Sequence, residues 1–110
     1  MRIRSRPKYG NQKKNGSASK REAKRLAELR LMEKAGEIAD LRTQIKFELI
    51  PAQYVDGKCV ERSISYVADF VFNDKTGAMR VQDAKGFVTP VWIIKRKLMR
   101  FFLGIAVEEV

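Results

Sequence analysis

Ser65-Tyr66-Val67-Ala68-Asp69-Phe70-Val71-Phe72 and, after a turn, Met79-Arg80-Val81-Gln82-Asp83-Ala84-Lys85 are the two segments around which the rest of the chain is organised. The first is rich in β-branched and aromatic residues, the second alternates apolar Met79 and Val81 with polar Arg80 and Gln82, and Asn73-Asp74-Lys75-Thr76-Gly77 between them has turn chemistry. Asp69 and Asp83 each lie seven positions from Thr76, so a hairpin centred there sets them opposite one another. Cross-strand neighbours are about 5 Å apart. With a period of two, Asp69 shares a face with Ser65, Val67 and Val71, and Asp83 shares one with Met79, Val81 and Lys85. Gln82 points the other way and falls outside the set.

Two ionised carboxylates at that distance repel unless a cation lies between them. Charge inside an apolar strand is also costly without a compensating partner. The compensator is either structural, a Lys85 salt bridge to one aspartate with the other facing solvent, or a divalent metal. Apolar residues on both alternate sets around Asp69 favour a covered strand, and therefore the metal. The backbone carbonyl of Ala84 is a further hard-cation ligand. Gly86 either ends the strand or lets a phosphate backbone come close.

Upstream, Ser17 or Ser19 can cap a helix running to about Gly36. Glu22, Leu26, Leu29 and Glu33 fall on one of its faces, with Glu28 on the opposite side. Ser19 with Glu22 also fits a capping box, so Glu22 is either a helix-start device or a carboxylate carried toward the core. Thr43 to Pro51 reads as a strand with Ile45, Phe47 and Leu49 on one face, and Asp56-Gly57-Lys58 as a hairpin turn. A strand from about Val60 to Phe72, bent near Arg62-Ser63, follows. Thr89 caps a second helix with Pro90 at its first position, and Gly104 stops it. Ile105-Ala106-Val107 is a last short strand. The expected class is α/β, in the order αβββαβ.

Composition narrows the chemistry. The 110 residues suit one domain, 19–110, behind a flexible basic arm, 1–18. With no histidine and one cysteine, Cys59, zinc is disfavoured, and an oxygen-held Mg²⁺ or Mn²⁺ is expected. No apolar run reaches membrane-span length, and no signal-peptide stretch is visible, which implies a cytoplasmic location. Of the net charge of +10, residues 1–25 carry +9, which points to a polyanionic partner, nucleic acid first, or else to a solubilising tail. Arg2, Arg4, Arg6, Lys8, Lys13, Lys14, Lys20 and Arg21 are the expected DNA contacts there. Lys95, on the inner border of the second helix, is either a further contact or a snorkelling lysine.

Element order and motifs together resemble the PD-(D/E)XK nuclease superfamily, and most closely small phage-encoded endonuclease I-type Holliday junction resolvases. Ser19-Lys20-Arg21-Glu22 with Leu29 corresponds to the family's Ser-x-x-Glu and its leucine. Ala68-Asp69-Phe70 stands for Pro-Asp-Phe, with alanine replacing the proline. Asp83-Ala84-Lys85-Gly86 stands for Glu-x-Lys-Gly, with aspartate one methylene shorter. The resemblance covers residues 19–110 and implies a restriction-endonuclease-like core with a mixed central sheet flanked by helices. It also implies that Asp69, Asp83 and Glu22 hold one or two Mg²⁺ ions, with Lys85 assisting catalysis. The function it implies is phosphodiester hydrolysis in branched or recombination-intermediate DNA by a homodimer, in a host cytoplasm if the gene is phage-borne. The exposed apolar side of helix Val91–Leu103, Trp92 included, is a candidate dimer surface. The competing reading is a non-catalytic phage or plasmid DNA-binding accessory protein.

Overall fold

The computed structural model describes residues 16–110, with side chains from Lys20 onward. Arg2, Arg4, Arg6, Lys8, Lys13 and Lys14 of the expected arm lie outside the described residues. Helix α1 spans Gly16–Lys34, and strand β1 spans Ala39–Ile50. A short pair, β2 (Gln53–Val55) and β3 (Lys58–Glu61), is followed by β4 (Ile64–Asn73) and β5 (Met79–Asp83). Helix α2 (Pro90–Leu103) and β6 (Val107–Glu109) complete the chain. The main sheet has the order β1-β4-β5-β6, antiparallel except for the parallel β5–β6 pair. It is an α/β fold with a mixed central sheet and one helix on each face, and α1-β1-β4-β5-α2-β6 reproduces the expected αβββαβ order.

Four local expectations change, one of them at the end of the chain, where the last strand is Val107–Glu109 rather than Ile105–Val107. The helix is already formed at Gly16, so Ser17 and Ser19 lie within it and Glu22 is not a capping-box residue. Strand β1 starts at Ala39 rather than Thr43. Its first residues hide their alternation because the register shifts between Ala39 and Arg42, where Asp40 has φ 57°. The bend at Arg62-Ser63 is a full break, and the segment before it pairs separately as β3 with β2. The turn between those strands is as expected, with positive φ at both Asp56 (51°) and Gly57 (80°), the backbone that suits a tight hairpin.

The two faces of the sheet bury different helices. On one face, Leu29 of α1 packs with Ile38, Phe70, Phe72 and Ala84, flanked by Leu26 and Met32. On the other, Trp92 and Met99 of α2 pack with Leu49, Tyr66, Ala68, Val71 and Val81. Trp92 is therefore a core residue and not part of an exposed dimer surface; the exposed apolar residues of α2 are Val91, Ile94, Phe101, Phe102 and Leu103. The sheet's covered middle explains why β4 has so few solvent-facing positions.

Helix α2 is held at both ends by local chemistry. Thr89 Oγ1 accepts the Trp92 backbone N–H at 3.1 Å, and Gly104 closes the helix in the left-handed region at φ 69°. We expect Thr89→Ala to cost about 1 kcal/mol, the usual worth of an N-cap. Thermal unfolding measures it, at about 4–8 °C per kcal/mol for a domain of this size. An unchanged melting temperature would mean that tertiary packing alone sets the start of α2.

Candidate functional site

The β4–β5 ladder runs from Asn73↔Met79 to Phe70↔Gln82. One step further the strands part, and Asp69 and Asp83 face each other at the fork. Their carboxylates take over from the main-chain ladder. Asp83 Oδ1 accepts the Asp69 N–H at 2.9 Å, and Asp69 Oδ2 accepts the Ala84 N–H at 3.0 Å. The expected hairpin register is the observed one.

Asp83 is buried, with 2% of its surface exposed. Its Oδ2 accepts the indole Nε1–H of Trp92 at 2.8 Å, and Lys85 Nζ stands 3.7 Å from the same oxygen. Lys85 and Arg96 both lie over the Trp92 ring, at 5.6 and 5.4 Å from its centroid. The Lys85 salt bridge considered as a structural compensator thus exists, but on the buried aspartate. Gln82, as expected, points to the other face, accepting from Arg25 and donating to Glu108.

Glu22 reaches the same place from α1. Leu29, buried two stripe positions further along, presses that face onto Phe70 and Phe72. The link is a residue that sequence reasoning missed. Gln44 Nε2 donates to Glu22 Oε2 at 2.9 Å and to Asp69 Oδ1 at 3.2 Å. Gln44 falls opposite Asp69 in the β1–β4 register and has φ 53°, an unfavourable backbone for a residue with a Cβ. Such strain concentrates at functional sites. Nothing in the surrounding alternation announces it.

Electrostatically the cluster is under-compensated. Burial, followed by the charges of Asp69 and Asp83, pushes the Glu22 carboxyl above its ordinary value. Burial, followed by Asp83, does the same to Asp69, against the lowering effect of the Ala84 and Gln44 hydrogen bonds. Tyr66 Oη, buried within reach of Asp83, has no hydrogen-bond partner among the described residues. Its pKa is pushed up, by burial first and then by Asp83.

A raised folded-state carboxylate pKa favours the protonated native state. Its contribution to stability is full below the ordinary values of 3.8 and 4.5 and is lost as pH rises through the higher folded values. Glu22→Gln removes one such charge. Its melting temperature in EDTA should gain on that of the wild type as pH rises from about 4 to about 7. A gap that stays constant with pH would show that Glu22 is not under electrostatic load.

The donor set fits an oxygen-preferring divalent cation. Each carboxylate oxygen holding a hydrogen bond keeps a second lone pair, and Lys85 is one positive charge against the three carboxylates Glu22, Asp69 and Asp83. Among the described residues, however, no three carboxylates stand close enough to hold one ion together as they are. The Gln44 amide lies between Glu22 and Asp69, bonded to both.

Beside the fork is an open groove of about 310 Å³, lined by Ser65, Tyr66, Val67, Asp83, Lys85, Thr89, Val91, Trp92 and Lys95. Lys95 therefore shares the groove with Lys85. Arg21 is close as well, since a Cβ built on Gly86 would lie 3.9 Å from its Nε. Lys20 is exposed on α1. No helix among the described residues is long and apolar enough to cross a membrane.

The model of a family described as "Protein of unknown function (DUF1064)" matches residues 6–103. No curated protein and no solved structure matches the chain.

Proposed function

This chain belongs to the DUF1064 family, and we propose that it is a divalent-cation-dependent DNA endonuclease, acting in the cytoplasm on branched or recombination-intermediate DNA. One observation carries the proposal: Asp69 and Asp83 meet at a strand fork, with Glu22 joined through Gln44 and Lys85 beside Asp83. The preference for branched DNA rests on the resemblance to junction resolvases.

Asp69, Asp83, Glu22 and the Ala84 carbonyl would hold Mg²⁺ or Mn²⁺. When bound, the ion would polarise the scissile phosphate and lower the pKa of an attacking water. The chain's own side chains do the rest. Lys85, held near Asp83 and the Trp92 ring, orients that water or offsets negative charge developing on the phosphate. Lys95, which lines the groove, and Arg21, which lies beside Gly86, grip neighbouring phosphates. Trp92 fixes the Asp83 rotamer through Nε1. A homodimer would present two such centres to two strands, with Val91, Ile94 and Phe101 as its exposed apolar contact.

The alternative, a DNA-binding accessory protein that does not cut, is favoured by the existing bonds to both Asp83 oxygens and its Lys85 pair. A labelled four-way junction, with duplex controls, separates the two. The expected result is cleavage in Mg²⁺ or Mn²⁺ and intact, retarded DNA in EDTA. Retarded but uncut DNA under every metal condition overturns the nuclease reading.

A further inference from the structure

We propose a second phosphate-binding site on α2, formed by Arg96, Lys97 and Arg100, that holds the polynucleotide backbone as it leaves the carboxylate fork. It rests on the nucleic-acid half of the function proposed above and not on cleavage.

Helix α2 contains four cations, Lys95, Arg96, Lys97 and Arg100, and no acidic residue. At about 100° per residue, and measured from buried Trp92, Lys95 falls about 60° to one side, toward the carboxylate groove. Arg96, Arg100 and Lys97 fall about 40°, 80° and 140° to the other side. These three line a separate groove of about 260 Å³, whose other lining is Ala106 and Val107, the first residue of β6.

None of the three forms an ion pair with an acid among the described residues. The carboxylate next to Val107, Glu108, is drawn away to Arg80 and Gln82. Arg80 is the main reason its pKa lies below the ordinary range. Arg100, in the last turn, is favoured there by the helix dipole in any case. That does not account for Arg96 and Lys97, and like charges four apart on a helix repel. An external anion would relieve that repulsion.

The groove also connects to the fork. Arg96 lies over the Trp92 ring, and Trp92 donates to Asp83. From Arg96 to Arg100 the helix rises about 6 Å, so the cations form a row rather than a single cradle. A row suits a chain of phosphates better than one free anion.

The test uses Lys97→Gln/Arg100→Gln in the full chain, sparing Arg96 because it touches Trp92. Lys34→Gln/Lys75→Gln removes equal charge elsewhere and serves as the control. Anisotropy of a labelled duplex and a labelled four-way junction is followed in EDTA from about 50 to 300 mM KCl. Each phosphate contact contributes a slope of about 0.9 to log K against log salt. The Lys97/Arg100 variant should therefore flatten the duplex slope by up to about 1.8 and bind about tenfold more weakly near 0.1 M. The control should move the slope far less.

An unchanged slope in the Lys97/Arg100 variant, or an equal change in the control, overturns the site while leaving DNA binding intact. If inorganic phosphate binds the wild type but not the variant while the two bind DNA with the same affinity and slope, the site takes single anions and the backbone assignment falls. A flattened slope in the Lys97/Arg100 variant, together with a wild type that does not cut in Mg²⁺ or Mn²⁺, supports this site and defeats the endonuclease reading. Wild type that binds no polynucleotide defeats both.

Discussion

Asp83→Asn is expected to lower cation-dependent cleavage by about a thousandfold or more while leaving DNA affinity within a few-fold. A divalent cation at a scissile phosphate supplies several kcal/mol of charge stabilisation, and each 1.36 kcal/mol is about a decade in rate. Asparagine keeps the size of Asp83 but not its charge, and it leaves one strong acceptor where there were two. Oδ1 now serves the Asp69 N–H and Oδ2 serves Trp92 Nε1–H. An asparagine would turn its NH₂ toward one of those donors, so some loss of stability is expected as well, about 1–3 kcal/mol for an unpaired buried donor.

Trp92→Phe separates the two effects. It removes the same indole hydrogen bond but leaves the carboxylate in place, and outer-sphere losses of this kind run to about 10–100-fold. Cleavage by the phenylalanine variant that fell as far as that of Asp83→Asn would point to fold damage rather than lost chemistry. Full activity in Asp83→Asn would remove Asp83 from the mechanism.

The second large effect concerns the fold. Phe70 is fully buried and packs with Leu29, Ile38, Phe72 and Ala84, so it joins α1 to the sheet one residue after Asp69. Phe70→Ala should cost about 3–5 kcal/mol through lost burial and the cavity left behind. That is a large share of the about 5–15 kcal/mol by which small domains are stable. Denaturant unfolding measures it directly, with Phe87→Ala as comparison, since Phe87 is 79% exposed and its loss should be nearly neutral. If the phenylalanine anchors α1, Phe70→Ala also frees Glu22 from Gln44. The pH-dependent gain of Glu22→Gln should then disappear in the Phe70→Ala background. A loss below about 1 kcal/mol would mean that α1 docks by other contacts.

Much of this arrangement was legible in the chain because it depends on local rules. The Asn73–Gly77 turn sets the register that brings Asp69 opposite Asp83, and Thr89-Pro90 with Gly104 marks both ends of α2. The stripe of Glu22, Leu26 and Leu29 carries a carboxylate on the side that leucine burial turns inward. The start of α1 was misread because a capping box at Ser19 is a two-residue signal, and the helix simply continues through it. The Val60–Phe72 segment looked continuous because its composition stays strand-like across Arg62-Ser63, where the pairing partner changes.

Gln44, Trp92 and the basic groove of α2 were not legible as parts of a site. A glutamine in an alternating strand carries no mark of a positive φ, and a tryptophan on an apolar stripe gives no sign of which carboxylate its N–H will meet. By itself, then, the sequence determined the α/β order and the hairpin register that sets Asp69 opposite Asp83, because turns and alternation act over a few residues. Only the tertiary structure decided that Gln44 lies between Glu22 and Asp69, that Trp92 holds Asp83, and that Arg96, Lys97 and Arg100 lack acidic partners among the described residues. Those facts depend on which strands and helices come together, and local sequence rules do not reach across the 25 residues between Gln44 and Asp69.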